Sequence, residues 1–400
     1  MSLISNEEAR SFLVNYQGLN DHEILDGYDG AVQFMEKVRC IQFDPLNVVG
    51  RNPDLVMQSR INEYKPEILG DLLYKDRILV DGMDKVLSIF LKEDYSKMTR
   101  VRKAVKEEYI GILSYRGSLE ALNLLDEIKE YIRLNGPQPA NKINIGGKSN
   151  DGKWGHKKLS SAALEYMYHS GQLGIKTKNK TQKVYDLIEN LLPEEILKAK
   201  DPFDTEEEFL KWYIKRRIGC IGMVWNKNTG AWVGNYIYNQ HPRVEIIQKL
   251  VEEGELLELQ IERSEERFFI RKEDSKYLGT TTENNVVKFI GPLDNFIWDR
   301  GLIEEVFKFK YTWEVYTPVA KRKYGYYVLP VLYKNRFIAR FEPEKNRGKT
   351  PLQIKNWWWE SNVDITDEMV DAIKCAFEKF SRYLGVEMME DNYWKEKLKL

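Results

Sequence analysis

Two stretches of the chain share one pattern of hydrophobic and polar positions. In residues 160–173 and 242–256, apolar residues recur at helical spacing and a glycine follows, Gly171 in the first stretch and Gly254 in the second. A glycine there suits the left-handed conformation that often ends a helix. A strand pattern, a polar turn and a second strand pattern come next, which predicts a two-stranded hairpin. Helix followed by hairpin is typical of the second half of a winged helix.

Helical patterns also precede both stretches. Residues 119–134 and 207–220 each predict an amphipathic helix. Residues 118–190 and 205–275 are therefore interpreted as two copies of one module. A pair of amphipathic helices near the N-terminus is a candidate third, degenerate copy, and residues 52–117 are interpreted as a helical scaffold.

From about residue 285 the pattern changes to short runs rich in Val, Ile, Tyr and Phe, separated by polar turns. Such runs favour strands. They predict a small antiparallel β domain with strands at 286–291, 310–317, 324–332 and 337–341. Apolar residues at helical spacing over 367–384 predict a terminal helix.

The sequence thus predicts an α+β protein in which tandem winged-helix modules sit on a helical scaffold and a β domain follows. At 400 residues and 42% hydrophobic content the chain can bury several cores. The predicted division is 1–117 for the N-terminal winged-helix-like module with the scaffold, 118–200 and 201–284 for a second and a third winged helix, and 285–400 for the β domain with the terminal helix.

Composition and charge narrow the class of protein. A net charge of −1 argues against a protein that coats nucleic acid by bulk attraction. Basic clusters within 97–106, 176–183, 215–217 and 321–323 could still gather on one surface, or could remain solvated faces.

The sequence contains neither a run of roughly 18 to 20 apolar residues, as a membrane span requires, nor a recognisable leader segment, so a cytoplasmic location is expected. The three cysteines are expected to be buried free thiols, and the four histidines lack ligand spacing. Neither a metal nor a cofactor is expected.

One short motif carries the clearest candidate chemistry. Residues 42–45 read Gln-Phe-Asp-Pro, and the proline disfavours a helical conformation of Asp44. In an extended run Gln42 and Asp44 project to the same side, with Phe43 anchored opposite. Their natural target is a water molecule, because the carboxylate can accept its proton while the amide orients it. The alternative is a strand end whose polar residues cap the next turn.

Two further groups have candidate binding roles. Arg51, in the same loop, could hold a phosphate or could form a structural ion pair. Residues 321–327 interleave cations with aromatic rings, which suits either a hairpin that grips nucleic acid or an edge strand guarded by lysines. The candidate DNA contacts in this segment are Lys321, Arg322, Lys323, Tyr324 and Tyr326.

Several strings resemble a known family. They are residues 41–53 (IQFDPLNVVGRNP), 153–155 (KWG), 183–187 (KVYDL), 292–300 (PLDNFIWDR), 314–318 (EVYTP) and 321–330 (KRKYGYYVLP). Together they resemble the bacterial winged-helix DNA glycosylases of the AlkZ and YcaQ (AlkX) type. The resemblance extends from near residue 5 to about residue 385.

The resemblance implies a fold, an activity and site residues. That family has tandem winged helices on a helical scaffold and a C-terminal β-barrel, which form a C-shaped channel for DNA. Its members excise N-alkylated purines and unhook interstrand crosslinks. The AlkZ branch carries Gln-x-Gln and the YcaQ branch Gln-x-Asp, so by resemblance Gln42 and Asp44 are catalytic residues of the second branch and the hairpin at 321–327 contacts DNA. One departure is Asp54, an acid where a neutral or basic residue is expected.

The expected partner is double-stranded DNA carrying alkylated or crosslinked guanine. The protein is expected to act as a cytoplasmic monomer, associated with the nucleoid when bound to DNA, without a membrane, metal or cofactor. A rival interpretation is a winged-helix transcriptional regulator without catalysis, which explains the repeats but gives Gln42 and Asp44 no task. A structure-specific nuclease would need a cluster of carboxylates around a metal, and no such cluster is evident in the sequence.

Overall fold

The described part of the chain falls into two compact units. A computed structural model describes residues 2–21, 23–147, 158–179, 182–234, 236–281, 284–345 and 350–400, so the string at 153–155 lies outside the described residues. The larger unit comprises Met1–Leu69, Phe209–Val233 and Ile237–Leu400, and the smaller unit comprises Gly70–Glu208 with Gly234–Tyr236. The four-part division made from the sequence stays a prediction.

The described residues form thirteen α-helices and sixteen strands. The helices are α1 (Asn6–Tyr16), α2 (Gly27–Val38), α3 (Asn52–Gln58), α4 (Pro66–Gly70), α5 (Thr99–Tyr115), α6 (Leu125–Asn135), α7 (Leu159–His169), α8 (Glu194–Leu197), α9 (Glu206–Ile221), α10 (Gln240–Glu252), α11 (Arg300–Phe307), α12 (Asp367–Leu384) and α13 (Asp391–Leu398). The strands are β1 (Ser2–Ile4), β2 (Leu25–Asp26), β3 (Cys40–Gln42), β4 (Ile61–Asn62), β5 (Leu79–Met83), β6 (Leu87–Leu91), β7 (Gln138–Pro139), β8 (Leu173–Asn179), β9 (Gln182–Leu187), β10 (Val224–Trp225), β11 (Leu256–Ile261), β12 (Arg267–Arg271), β13 (Val287–Phe289), β14 (Leu329–Tyr333), β15 (Arg336–Pro343) and β16 (Ile354–Trp359).

The first core of the larger unit forms around α1. This helix begins at a capping box, in which the Glu8 N–H donates to the Ser5 hydroxyl and the Glu8 carboxylate accepts the Ser5 N–H. Its buried face packs Phe12 and Leu13 against the sheet β1-β11-β12-β10. Strand β1 is parallel to β11, and β11 and β12 form the hairpin predicted after Gly254.

The second core of the larger unit lies between the sheet β13-β14-β15-β16 and α12. The side chain of Thr366 caps α12 by accepting the Met369 N–H, and Gly385 ends the helix in the left-handed conformation. The helix occupies the residues predicted for it. Val48 and Val49, just after Asp44, join this core, which anchors the loop that carries the candidate carboxylate.

The smaller unit contains the first predicted helix, glycine and hairpin. Helix α7 buries Ala163 and Met167, Gly171 follows with φ +76°, and β8 and β9 pair antiparallel in the sheet β7-β9-β8. The description of residues 52–117 as helical scaffold is wrong in one part, because β5 and β6 form an antiparallel hairpin. Its apolar residues, which include Ile89 and Phe90, are buried, as strand packing requires.

The C-terminal β domain differs from the prediction. Its sheet is open, so the predicted β-barrel is wrong. Residues 314–316 form a 3-10 turn where a strand was expected, and β14 begins only at Leu329, so the predicted hairpin at 321–327 is also wrong. The prediction that all three cysteines are buried is correct for Cys40 and Cys220 and wrong for Cys375, which is exposed.

Candidate active site

The candidate motif lies where β3 ends and an extended run begins. Arg39 adopts the left-handed conformation that ends α2, and its N–H donates to the Met35 carbonyl at 2.7 Å. Gln42 is the last residue of β3. Along the run Gln42 and Asp44 are half-buried, whereas Phe43 between them is only 9% exposed. This alternation agrees with an extended chain that anchors Phe43 and leaves its two polar neighbours accessible.

Two buried asparagines hold the main chain of this run. The Asn52 amide donates to the carbonyls of Gln42 at 2.9 Å and Leu293 at 3.2 Å, and its oxygen accepts the Leu293 N–H at 3.1 Å. The Asn295 amide donates to the Cys40 carbonyl at 2.8 Å and to the Cys220 carbonyl at 3.0 Å. Because buried amides are costly to leave unpaired, these bonds fix the strand end.

The Asp44 carboxylate has one oxygen held by a hydrogen bond and a pKa above its usual value. Its Oδ1 accepts the Leu46 N–H at 2.8 Å, so the turn-capping alternative applies to this oxygen. Burial raises the pKa of Asp44 and the Leu46 N–H opposes the rise. A carboxylate with a raised pKa is a better proton acceptor when ionised, which suits a general base.

Arg51 forms a structural ion pair, one of the two roles that the sequence left open for it. Its Nε lies 3.1 Å from Oδ2 of Asp54, and the Tyr64 hydroxyl donates to Oδ1 of Asp54 at 2.9 Å. Burial raises the pKa of Asp54, and the charge of Arg51 opposes this. The unexpected acid at position 54 thus neutralises Arg51 at the start of α3, and contact between Arg51 and DNA stays a prediction.

Gly50 permits a close approach between the loop and α12. It has φ +118°, and a Cβ added to it would lie 1.9 Å from the Tyr383 hydroxyl oxygen. Its N–H donates to Oδ1 of Asn47 at 3.0 Å. Any side chain here would displace the loop or the tyrosine.

Replacing Gly50 with alanine is therefore expected to destabilise the protein by roughly 1–3 kcal/mol, through the clash and the positive φ together. Urea denaturation measures the change. The matched control is Gly111→Ala in α5, where an added Cβ meets no atom within 4 Å and alanine is the better helix former. Equal stability of the two variants would contradict the proposed contact with Tyr383.

The segment 321–327 is held by two buried carboxylates. Glu314 accepts the N–H groups of Lys323 at 2.7 Å, Tyr324 at 2.8 Å and Gly325 at 3.1 Å. Burial pushes the pKa of Glu314 up, but these three donors outweigh it and hold the pKa below its usual value. Glu342 accepts the Tyr326 N–H at 2.8 Å. Because these N–H groups are occupied, the segment cannot pair as a strand.

The side chains predicted to touch DNA reach the surface of this turn. Lys321, Lys323 and Tyr326 are exposed, and Arg322 and Tyr324 are half-buried. The Arg322 guanidinium donates to the Thr317 carbonyl at 2.8 Å and lies 5.1 Å from the centre of the Tyr326 ring. A rigid backbone thus presents cations and rings together, and their contact with DNA stays a prediction.

The structure brings this segment close to the candidate carboxylate, a relation that the sequence analysis did not foresee. Tyr327 is 2% exposed. Burial raises its pKa, and the negative charge of Asp44 adds to the rise. Its ring contacts Trp313 with centroids 6.3 Å apart. No local pattern could have shown this, because Asp44 and Tyr327 are remote in the chain.

Some cations of the basic clusters are bound by the protein itself. Arg217 has no exposed surface and donates to the carbonyls of Ala231 at 2.8 Å and Val233 at 2.7 Å. In the smaller unit, Arg100 pairs with Asp201 at 2.6 Å. Arg216 is also buried and Lys215 pairs with Glu255, so residues 215–217 form neither a basic surface nor a fully solvated face, the two alternatives left open by the sequence.

The described residues contain no group of three or more His, Cys, Asp or Glu side chains placed to hold a metal ion. In the same part of the chain, no helix combines the length and apolar character needed to cross a membrane.

The fold is that of a known class of DNA-repair enzyme. It is similar to the structure of the Streptomyces sahachiroi DNA glycosylase AlkZ, with a TM-score of 0.61 and 11% sequence identity over 97% of this chain and 100% of that one. Residues 35–383 match the family model described as DNA glycosylase AlkZ-like. The chain therefore belongs to the AlkZ-like DNA glycosylase family. This membership confirms the predicted class, a DNA glycosylase that takes part in DNA repair. It does not favour the rival interpretation as a transcriptional regulator.

Proposed function

We propose that the protein is a monofunctional DNA glycosylase that hydrolyses the N-glycosidic bond of N7-alkylated guanine and unhooks interstrand crosslinks, leaving abasic sites. The observation that carries this proposal is Asp44, a half-buried carboxylate with a raised pKa at the end of a fixed extended run. Gln42 and Asp44 are both half-buried on either side of the buried Phe43, an arrangement that allows the two side chains to act on one water.

The chemistry suits a site of so few groups. A guanine alkylated at N7 is positively charged and departs as a neutral base, so it needs no strong general acid. As the C1′–N9 bond breaks, its electron pair leaves with the base and positive charge develops on the sugar. Asp44 stabilises that charge and accepts a proton from the water whose oxygen bonds to C1′, and Gln42 orients that water.

The remaining parts of the proposal concern DNA contact. Arg51 and the side chains of the turn at 321–327 contact the duplex. The cationic side chains bind the phosphate backbone of the DNA, and the tyrosines contact its sugars or bases. Glu314 supports this role because it fixes three N–H groups of the turn. Bulky crosslinks are hard to rotate into a closed pocket, so attack proceeds in an open channel, by a cytoplasmic monomer.

The decisive experiment is an alkali-induced strand-break assay. The protein is incubated with a duplex that carries one 7-methylguanine, and with one that carries an interstrand crosslink, before treatment with alkali. A monofunctional glycosylase yields breaks at the lesion only after alkali, because only then are abasic sites cleaved. Intact strands after both incubations would refute the proposed substrates, and breaks without alkali would refute monofunctional chemistry.

The excision rate is expected to fall at acid pH as Asp44 becomes protonated. Burial raises the pKa of this group above its ordinary value of 3.8, against the effect of the Leu46 N–H. The ionised carboxylate is the active form, so the single-turnover rate constant should fall about tenfold per pH unit below the raised pKa. The profile is measured after subtraction of spontaneous base loss. A midpoint at or below pH 3.8 in protein that is still folded by circular dichroism would contradict this role.

A further inference from the structure

A basic cavity of about 540 Å³ lies within the larger unit. It lies beside residues that support the loop carrying Asp44, residues 43–51, called the catalytic loop below. Cavities of this size bind small molecules or parts of larger ones. Five cationic side chains line it, from the residues on either side of β4, from β13 and from the end of α12. They are Arg60, Lys65, Lys288, Lys379 and Arg382.

Three of these cations, the buried Arg60 and Lys288 and the exposed Lys379, are only partly neutralised by the protein. Arg60 is matched by Asp294, with nitrogen–oxygen distances of 2.6 and 2.7 Å. Lys288, which is 8% exposed, and Lys379 share the single carboxylate of Asp21. Two ammonium groups on one carboxylate leave one positive charge in excess.

The entrance adds two cations and two carboxylates. Lys65 and Arg382 are exposed and pair with no acid among the described residues, and Asp26 and Glu63 are exposed beside them. Solvent screens these rim charges from one another, whereas the surplus ammonium group on Asp21 lies beside the buried Lys288. The cavity therefore favours one monoanionic group, the charge of a phosphodiester.

The walls connect this cavity to the catalytic loop. Tyr383 lines it and also abuts Gly50, and Tyr64 lines it and donates to Asp54 at 2.9 Å. The rings of Tyr64 and Tyr383 stack with centroids 6.2 Å apart. An anion seated here would have a fixed position relative to the loop that carries Asp44. Phosphate contacts of this kind set the register of a protein on DNA.

We propose that this cavity binds one phosphodiester group of the DNA substrate, held by the Lys288 and Lys379 ammonium groups and guided by Lys65 and Arg382. The proposal rests on the proposed function for its ligand. Its consequence is that the bound strand is placed along the catalytic loop before any base is released.

The test compares salt dependence of binding in two charge-matched variants. The cavity variant is Lys379→Ala/Arg382→Ala, and the control is Lys374→Ala/Lys395→Ala, which removes the same charge, and likewise one ion-paired lysine, from residues that do not line the cavity. The probe is a fluorescein-labelled duplex with one 2′-fluoro-7-methylguanine, a lesion that resists cleavage. Loss of one phosphate contact should reduce the slope of log K against log salt by about 0.9 in the cavity variant and not in the control. Equal slopes in the two variants would overturn the proposal.

Two further measurements separate the sources of the anion and the two proposals. In the first, the melting temperatures of the wild-type protein and the cavity variant are measured with inorganic phosphate or deoxyguanosine monophosphate. If these ligands stabilise only the wild-type protein while the two proteins bind DNA with the same salt slope, the site binds a free ligand and its proposed role on DNA is overturned. Excision of 7-methylguanine is followed in parallel at saturating protein. A reduced slope in the cavity variant but not in the control supports the proposal, whereas a wild-type protein that binds with the full slope but releases no base refutes the proposed function alone.

Discussion

Replacing Asp44 with alanine is expected to slow base excision by a factor of about 10² or more, which corresponds to about 3 kcal/mol of lost transition-state stabilisation. DNA affinity should change little, because the carboxylate acts on charge that develops only as the glycosidic bond breaks. The loop should keep its place, since Asn52 and Asn295 bind its backbone and not the Asp44 side chain.

Single-turnover excision of 7-methylguanine from a duplex measures this effect, with binding measured on the cleavage-resistant analogue. Asp44→Asn serves as the closer variant, because its oxygen can still accept the Leu46 N–H while it can no longer accept a proton. Asp364→Ala, at an exposed position, is the control for loss of one negative charge. Release of base at the wild-type rate by folded Asp44→Ala protein would remove Asp44 from the mechanism.

Local patterns in the sequence were sufficient to predict several helices and the two hairpins that follow Gly171 and Gly254. Apolar spacing placed α12 at its observed residues, and a glycine marked the end of the helical turn before β8 and again before β11. These features depend on neighbours in the chain, so a single sequence contains them. The C-terminal domain was harder, because strand patterns there compete with side-chain bonds that come from distant residues.

Glu314 is the clearest case of such competition. Residues 310–317 have the composition of a strand, yet the Glu314 carboxylate captures N–H groups some ten residues further along the chain. Glu342 from β15 takes the next one. Neither bond leaves a periodic signal, so composition alone favoured a hairpin.

The candidate site was predictable in its motif and not in its surroundings. The proline after Asp44 and the alternation around Phe43 were visible in the sequence, whereas the closeness of Asp44 to Tyr327 depends on how the loop packs against the C-terminal sheet. Residues 292–300 were singled out in the sequence only because they resemble a known family. In the structure this segment places Asn295 so that its amide donates to the Cys40 carbonyl. Its role is to support the loop.

The same string supplies the second large effect. Asp294 and Arg60 form an ion pair in which neither side chain has exposed surface. Asp294 also accepts the Phe296 N–H at 2.9 Å, and Arg60 donates to the Gln17 carbonyl at 2.8 Å. The pair therefore ties the segment before Asn295 to the residues that follow α1 and α3.

Replacing Asp294 with alanine is expected to lower the free energy of unfolding by about 3–5 kcal/mol, because the Arg60 charge is left buried without its partner. Urea denaturation followed by tryptophan fluorescence measures the loss. Glu304→Ala, which breaks an exposed pair with Lys310 at 3.8 Å, should cost less than about 1 kcal/mol. The variant Arg60→Ala/Asp294→Ala should cost less than the sum of the two single changes, since removing both partners leaves no uncompensated charge. Additive costs would mean that the two side chains stabilise the fold independently, and the loop that carries Asp44 would then have to be supported by Asn52 and Asn295 alone.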